Sequence, residues 1–569
     1  MSSSKHSLDP PKEVAALKKH RFFLAALLIF LIFAVFSTAG CMRVNPVGSP
    51  GEDEEEDPAD PEEEYQRRLE EWERRNEELR EQLGPFYVPL PPLDQPENPP
   101  AKIRGIYLTG HTVGHSRYQE ILKMIEGTEI NAVVIDIKDD HGLMSYQSNI
   151  EIIKEIDAHY QPVPITDIKA TLEDLHKRGI YTIARIVVFK DPYLARAKPE
   201  WAIQKKGGGL WTEKGVAWIN PYQKEVWDYN IAIAKEAALM GFREVQFDYI
   251  RFPENAAKVD REAYYPGSNG VSKAENIAAF LDYAMEQLKD YNVYVACDVF
   301  GVIATTWGDS DNIGQIWEDF ATRVDYQKPM IYPSHYGRGY FGYEVPDAHP
   351  AGTVTRALTD AIKRNAPIKD PAIIRPWLQS FTATWILGHI PYGAKEVRQQ
   401  IDAALALGIE EYILWSPVNK YPAGAFLSAE EADRRAAQMR QERKQKGLDW
   451  LNRTGRQAAE SYLEAVQKKD WREAYALEIQ RRRDGNQYRD WLNATRGKVK
   501  EYTITAVEKE GSALRLSLKL VMTSGEEERI LEEQWTVSME NHVWRVKPSS
   551  RFLELLEGKA KAEETEQQD

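Results

Sequence analysis

From residue 102 onward, short runs of β-branched and aromatic residues alternate with longer stretches whose apolar positions recur every three or four residues. The runs fall at 103–108, 132–137, 181–189, 244–250, 293–299, 324–331, 372–378 and 411–415. Runs of five to nine largely apolar residues suit strands buried on both faces, as in a parallel sheet. Between them, 117–125, 167–177, 222–240, 272–289, 313–320, 353–364 and 395–407 carry the helical period. Ser272-Lys-Ala-Glu275 has the spacing of a capping box, and Gly179, Gly241 and Gly408 stand where helices should end. Eight strand-then-helix units over about 320 residues predict a (β/α)₈ TIM barrel rather than an open doubly wound sheet. No Gly-x-Gly-x-x-Gly turn follows the first strand, which removes the main nucleotide-binding alternative.

The pattern changes on both sides of the barrel. A charged helical stretch at 428–446 extends it, 455–477 reads as one amphipathic helix, and alternating segments follow at 499–508, 513–522, 529–539 and 543–547. Helix followed by a four-strand meander predicts a smaller α+β domain that resembles the cone-shaped NTF2-like fold, Tyr462, Trp471, Trp535 and Trp544 included. Upstream, 51–64 is almost purely acidic with proline, 65–83 pairs Glu with Arg at helical spacing, and 85–100 is Pro-rich. The expected organisation is an anchor at 1–41, an acidic and Pro-rich stalk at 42–100 and the barrel at 101–445. The small domain at 455–552 and a disordered tail at 553–569 complete it.

The N-terminus reads as an export signal. Lys18, Lys19 and Arg21 precede an unbroken apolar run from Phe22 to Phe36, and Thr38-Ala-Gly-Cys41 follows. That order resembles a bacterial lipobox, with Cys41 as the lipidated residue; an uncleaved spanning helix from about Phe22 is the competing reading. Either places the remainder on the outer face of the cell membrane. With Cys41 lipidated, Cys297 alone remains, so no intramolecular disulfide forms.

Net charge is −15, and residues 51–82 hold sixteen acidic against five basic side chains. This balance argues against a nucleic-acid surface. Fifteen Trp and 28 Tyr suit a ligand with flat apolar faces, such as a sugar.

Active sites of such barrels sit at the C-terminal strand ends. There the sequence places Asp136 and Lys138, Arg185 and Lys190, Asp248 and Arg251, Asp298, Tyr332 and His335, Trp377 and Gln379, and Trp415. The segment Gly241-Phe-Arg-Glu-Val-Gln-Phe-Asp248-Tyr-Ile-Arg-Phe-Pro253 resembles the fourth-strand signature of a bacterial glycoside-hydrolase-like family, domain of unknown function 4015. Asn131 to Asp140, Ala184 to Pro192, Asp298-Val-Phe-Gly301, Ile331 to Tyr336 and Arg375-Pro-Trp377-Leu-Gln379 match it too, over about Lys102 to Phe426. The resemblance implies a hydrolase barrel, and leaves the sugar unnamed.

Glycoside hydrolysis needs two carboxyl groups flanking the scissile bond. By analogy with barrel glycosidases, Asp248 is the expected nucleophile, kept ionised by Arg251 or Arg185. Asp298 follows an apolar run that would raise its pKa and suit it to acid/base duty. Asp136 and Lys138 would bind sugar hydroxyls or form a strand-end salt bridge; Tyr332, Trp377 and Trp415 would be platforms, and His335 a donor. The expected partner is a polysaccharide or oligosaccharide, with no cofactor and no metal. Two rivals stand beside this reading. One is a non-catalytic carbohydrate-binding envelope protein. The other is a metal-dependent polysaccharide deacetylase using His111, His115, Asp139, Asp140 and His141, whose chain order is reversed relative to that family.

Overall fold

The computed structural model describes residues 61–479, 484–524 and 527–558. The chain divides after Gln66, and everything below concerns the second unit, Arg67–Asp569. The export signal, Cys41 and the acidic stretch up to residue 60 lie outside the described residues. Among the described residues no helix is long and apolar enough to cross a membrane.

Eight parallel strands close into a barrel: β1 Arg104–Leu108, β2 Ala132–Lys138, β3 Tyr181–Val187, β4 Glu244–Asp248, β5 Tyr294–Phe300, β6 Tyr326–Ile331, β7 in two pieces (Ile373–Ile374 and Trp377–Gln379) and β8 Tyr412–Trp415. Each pairs with its sequence neighbours, and β8 pairs with β1 to complete the ring. The break in β7 falls at Arg375-Pro376. Proline has no N–H for the ladder, and there its carbonyl accepts from Ile413 of β8 instead.

Most helices lie where the periodicity puts them: Arg117–Ile125, Ile168–Lys177, Lys224–Met240, Lys273–Leu288, Pro350–Asn365 and Ala394–Ala406 bury their apolar stripes in the core. The expected helix at 313–320 shrinks to Trp317–Ala321, and Ala429–Lys446 buries only Ala432 and Ala436. Ser272 and Glu275 make the predicted capping box, and Gly241 ends its helix at φ +108°, a conformation that costs other residues a Cβ clash. Inside the ring a second, smaller core of Ile103, Tyr107, Val134, Tyr181, Ile183, Tyr332, Trp377 and Ile413 fills the axis. The β4–β7 side of the interior is ionic instead. Glu244 bonds Lys328 and Arg375, and Arg375 reaches Glu411 at 2.9 Å. Four charges buried together are tolerated because each has an opposite partner.

The Pro-rich segment behaves differently from a free spacer. From Arg67 on, the helix that ends at Leu83 leads into a chain that lies along the N-terminal side of the barrel, with Val88 and Leu90 buried. Tyr291 donates to the carbonyls of Val88 and Pro89, Asn292 to that of Pro96 and Tyr294 to that of Asn98. Proline restricts the unfolded chain, so ordering this stretch costs less entropy than usual. Its unpaired carbonyls find donors at the barrel floor. Asn76 joins helix and strap, accepting from the Leu90 N–H at 2.8 Å and the Tyr87 hydroxyl at 3.0 Å.

The C-terminal domain has a four-stranded antiparallel meander: β9 Lys498–Glu510, β10 Ala513–Ser524, β11 Glu527–Glu540 and β12 Val543–Lys547. The single helix expected at 455–477 is two, Gly455–Lys468 and Trp471–Leu477, because Lys469 turns left-handed at φ +55°. The supposed tail begins with a helix, Ser550–Glu557, capped by Ser549 and burying Phe552, Leu555 and Leu556. Trp471 packs edge-on against Trp307 of the barrel, centroids 4.6 Å apart, and Lys363 pairs with Glu473.

Replacing Asn76 by Ala leaves a buried N–H without its acceptor. We expect a loss of about 1–3 kcal/mol, read as a lower urea midpoint at unchanged m-value.

Candidate active site at the C-terminal rim of the barrel

A cleft of about 510 Å³ opens at the C-terminal strand ends, a size usual for ligand pockets. Asp248, Asp298 and Arg185 form its charged floor, with Tyr332, Trp377 and Trp415 as aromatic walls and Arg251 and His335 toward the mouth. Eight of the residues singled out from the sequence therefore meet in one hollow.

The register explains the meeting. Phe247 on β4 pairs with Cys297 on β5, so Asp248 and Asp298 stand level on neighbouring strands with both side chains facing the cleft. Arg185 on β3 spans the floor. Its Nε donates to Asp248 Oδ2 at 3.0 Å, its Nη2 reaches the same oxygen, and its Nη1 meets Asp136 Oδ1 at 2.5 Å. The guanidinium lies 5.7 Å from the centre of the Tyr107 ring and 5.4 Å from that of Trp415. Burial opposes its charge, but Asp136 and Asp248 outweigh that and hold its pKa well above the ordinary value. Burial pushes Asp136 up to about 6, against the pull of Arg185 and of the Tyr107 hydroxyl it accepts.

Asp298 is the most perturbed carboxyl of the site. Burial first, and the neighbouring Asp248 carboxylate second, push its pKa well above the aspartate range. Its oxygens are fixed by N–H donors: Trp377 Nε1 to Oδ1 and Gln246 Nε2 to Oδ2, both at 2.7 Å. Gln246 can point only that way, since its carbonyl accepts from Lys328 of the buried ionic network. Asp248 Oδ2 is taken up by Arg185, whereas Oδ1 accepts one backbone N–H, from Tyr249 at 2.6 Å. That leaves Oδ1 a lone pair directed at the cleft.

Several expectations need correction. Lys138 does not reach the cleft. The ladder skips Ile137, pairing Asp136 with Arg185 but Lys138 with Ile186, and such a bulge turns the next side chain to the opposite face. Lys138 is consequently buried under helix Lys224–Met240, bonded to Asp191 at 2.8 Å, the Val187 carbonyl and Asn230. Arg251 pairs with Glu254 at 2.8 Å rather than with Asp248. Lys190 pairs with Asp140 at 2.8 Å and sits over the Tyr249 ring, one residue removed from the cleft. Gln379 is a brace: it accepts from the Ser334 N–H and donates to Asp347 and to the Phe381 carbonyl, each at 3.0 Å. Asp136 supports Arg185 from below and does not line the cleft.

Sequence reasoning missed Tyr107, Tyr249, Glu254, Phe300, Met330 and Tyr336. Tyr107 stacks on Trp415 at 4.1 Å and donates to Asp136; the others line the cleft. Strand alternation from Asp298 and Lys328 would have put Phe300 and Met330 on the inner face. Among the described residues Asp139, Asp140 and His141 have donor atoms within 4.8 Å of one another. His111 and His115 stand outside that group; His111 packs on Tyr160, which also bonds Asp139. The donor set the deacetylase reading requires is therefore not assembled.

Residues 105–421 match the family described as "Putative glycosyl hydrolase domain", domain of unknown function 4015. The chain belongs to that family. No curated protein matches it. Among solved structures, a hypothetical protein from Ruminiclostridium thermocellum is 42% identical, covering 34% of this chain and 97% of its own at a TM-score of 0.31. The PgaB (BpsB) glycoside hydrolase domain from Bordetella bronchiseptica is 12% identical, covering 60% and 98%, TM-score 0.39. A β-galactosidase from Marinomonas ef1 is 12% identical, covering 62% and 61%, TM-score 0.43.

Arg185→Met leaves two buried carboxyl groups without their cation. A loss of about 3–5 kcal/mol is expected, against less than about 1 kcal/mol for Lys190→Met at the partly solvated Asp140 pair. Urea unfolding of the two variants checks the contrast.

Proposed function

We propose that this member of the glycosyl hydrolase family cleaves glycosidic bonds with Asp248 as nucleophile and Asp298 as acid/base. The observation that carries the reading is the level pair itself: two carboxyl groups on adjacent strands, facing one aromatic-walled cleft, with environments that differ. Asp248 is tied to a guanidinium; Asp298 is buried and repelled by Asp248, and both effects push its pKa well above the aspartate range. That division of labour is what an acid and a nucleophile require.

In the first step Asp298 gives its proton to the glycosidic oxygen while Asp248 Oδ1 attacks the anomeric carbon. The bond to the leaving alcohol breaks and a glycosyl ester forms. The Asp298 carboxylate, stabilised by the Trp377 and Gln246 N–H groups, then takes a proton from water. The water oxygen displaces Asp248 and restores both groups. Adjacent strands lie about 5 Å apart, near the separation of about 5–5.5 Å that goes with retention of configuration.

The substrate class we infer is a polysaccharide or oligosaccharide of the cell envelope or its surroundings. The apolar run after Arg21 and the Thr38-Ala-Gly-Cys41 order favour export and an N-terminal anchor, by lipid or by an uncleaved helix.

The test is reducing-end release from a panel of envelope and secreted polysaccharides. Asp248→Asn and Asp298→Asn are each expected to lose at least about 10²-fold in rate while remaining folded at the assay temperature, Asp298→Asn unfolding close to wild type and Asp248→Asn lower, because Arg185 keeps only Asp136 as its partner. The first-formed product should keep the anomeric configuration of the substrate by NMR. Glycan binding without turnover in wild type, surviving both substitutions, would instead establish a carbohydrate-binding barrel.

A further inference from the structure

Beside the catalytic cleft lies a second hollow of about 350 Å³, floored by Ser334, His335 and Tyr336 and walled by Arg338, Asp347 and Leu387. His335 and Tyr336 line both cavities, so the two adjoin across the His335 ring. An aromatic ladder runs outward along the same path. Tyr332 meets Phe381 edge-on at 5.9 Å, His335 meets Phe381 at 6.4 Å, and Phe381 stacks on Trp385 at 6.0 Å with planes 18° apart.

The outer end of the ladder is open. Trp385 is 65% exposed and the neighbouring Leu387 97% exposed. Exposing a Trp face and a Leu side by side on a loop sacrifices apolar burial, and such patches mark places where something else binds. The loop is nevertheless held firmly. Asp347, almost fully buried, accepts from Gln379 at 3.0 Å and from the Ile390 N–H, Tyr392 donates to the Asp347 carbonyl, and the Tyr392 N–H donates to Thr382. At the edge of the hollow the exposed Arg338–Glu344 pair, 2.6 Å apart, presents donors and acceptors to hydroxyl groups.

We propose that this hollow, together with the exposed Trp385 that precedes its lining residues Ile386 and Leu387, forms a further sugar-binding subsite with Trp385 as the stacking platform, and that the enzyme grips a glycan chain extending past His335. The inference rests on the glycosidase reading for its ligand class. The occupant is a continuing sugar chain because the hollow shares its His335–Tyr336 wall with the catalytic cleft, and ring contacts lead from Tyr332 and His335 to Trp385. A sugar ring has a flat C–H face for Trp385 and hydroxyls for the Arg338–Glu344 edge. The consequence is specificity for oligomers over isolated glycosides: binding at Trp385 is available only to substrates long enough to reach it.

The experiment compares the full chain with its Trp385→Ala variant. Turnover is measured on whichever polysaccharide the wild type cleaves and on the aryl monoglycoside of the same sugar. A loss of about tenfold or more in kcat/KM on the polymer, carried by KM, with less than about a twofold change on the aryl glycoside, is the expected result. Equal losses on both substrates, or no loss on the polymer, would overturn the subsite. Retardation in gels containing chitin oligosaccharides, galactan, arabinan or solubilised peptidoglycan gives a readout that needs no turnover. Retardation weakened by Trp385→Ala supports the subsite. Retardation that the substitution leaves intact, or wild-type passage through every gel, contradicts it. Retardation without any cleavage overturns the hydrolase reading alone.

Discussion

One guanidinium organises the mouth of this barrel. Arg185 stands between two carboxyl groups, on β2 and β4, and touches both within hydrogen-bonding distance. Without it Asp136 and Asp248 would be two buried carboxyl groups with no cation beside them, and an unpaired charge in such surroundings is costly. With it, one face of the floor is fixed cationic and anionic by turns, and Asp248 keeps one oxygen bound and one directed at the cleft. Asp298 then feels the Asp248 charge, offset in part by Lys328 and Arg185. Its elevated pKa follows from its own burial and from Asp248, which Arg185 holds in place.

The support reaches through the barrel axis. Glu411, Arg375, Glu244 and Lys328 form a buried chain of opposite charges, and Lys328 passes the constraint to Gln246 and so to Asp298. An apolar filling would pack as well and cost less desolvation. What the ionic filling adds is orientation, since each amide and carboxyl group in the relay has one hydrogen-bonding arrangement open to it. The apolar half of the interior, from Tyr181 to Ile413, supplies the rigid aromatic wall against which that relay is set.

Much of this was legible in the residues. The eight strands appear where the β-branched runs fall, and from the second strand on the run ends among charged, polar or aromatic residues, which mark the mouth of the barrel. Asp248 and Asp298 were found by that rule. Lys138 was misplaced by the same rule, because a one-residue bulge at Ile137 reverses the inside–outside alternation and leaves no mark in composition. Tyr107 was overlooked since a Tyr inside a strand reads as core, and only its hydroxyl contact with Asp136 shows its place in the site. The Pro-rich strap resembled a spacer because what orders it are its carbonyls, which carry no sequence signal, and their donors lie about 200 residues away. Lys469 interrupts a stretch whose apolar period runs on unbroken, so the helix break had no pattern to betray it.

The most direct test of the account is the titration of the Asp298 carboxyl carbon by NMR, in wild type and in Asp248→Asn. A raised native pKa means that the proton is retained as pH climbs through the ordinary aspartate range and released only above it. The account predicts release well above that range in wild type, and a shift downward once the Asp248 charge is removed. A signal that titrates in the ordinary range and ignores the substitution would contradict Asp298 as the proton-holding acid of the site.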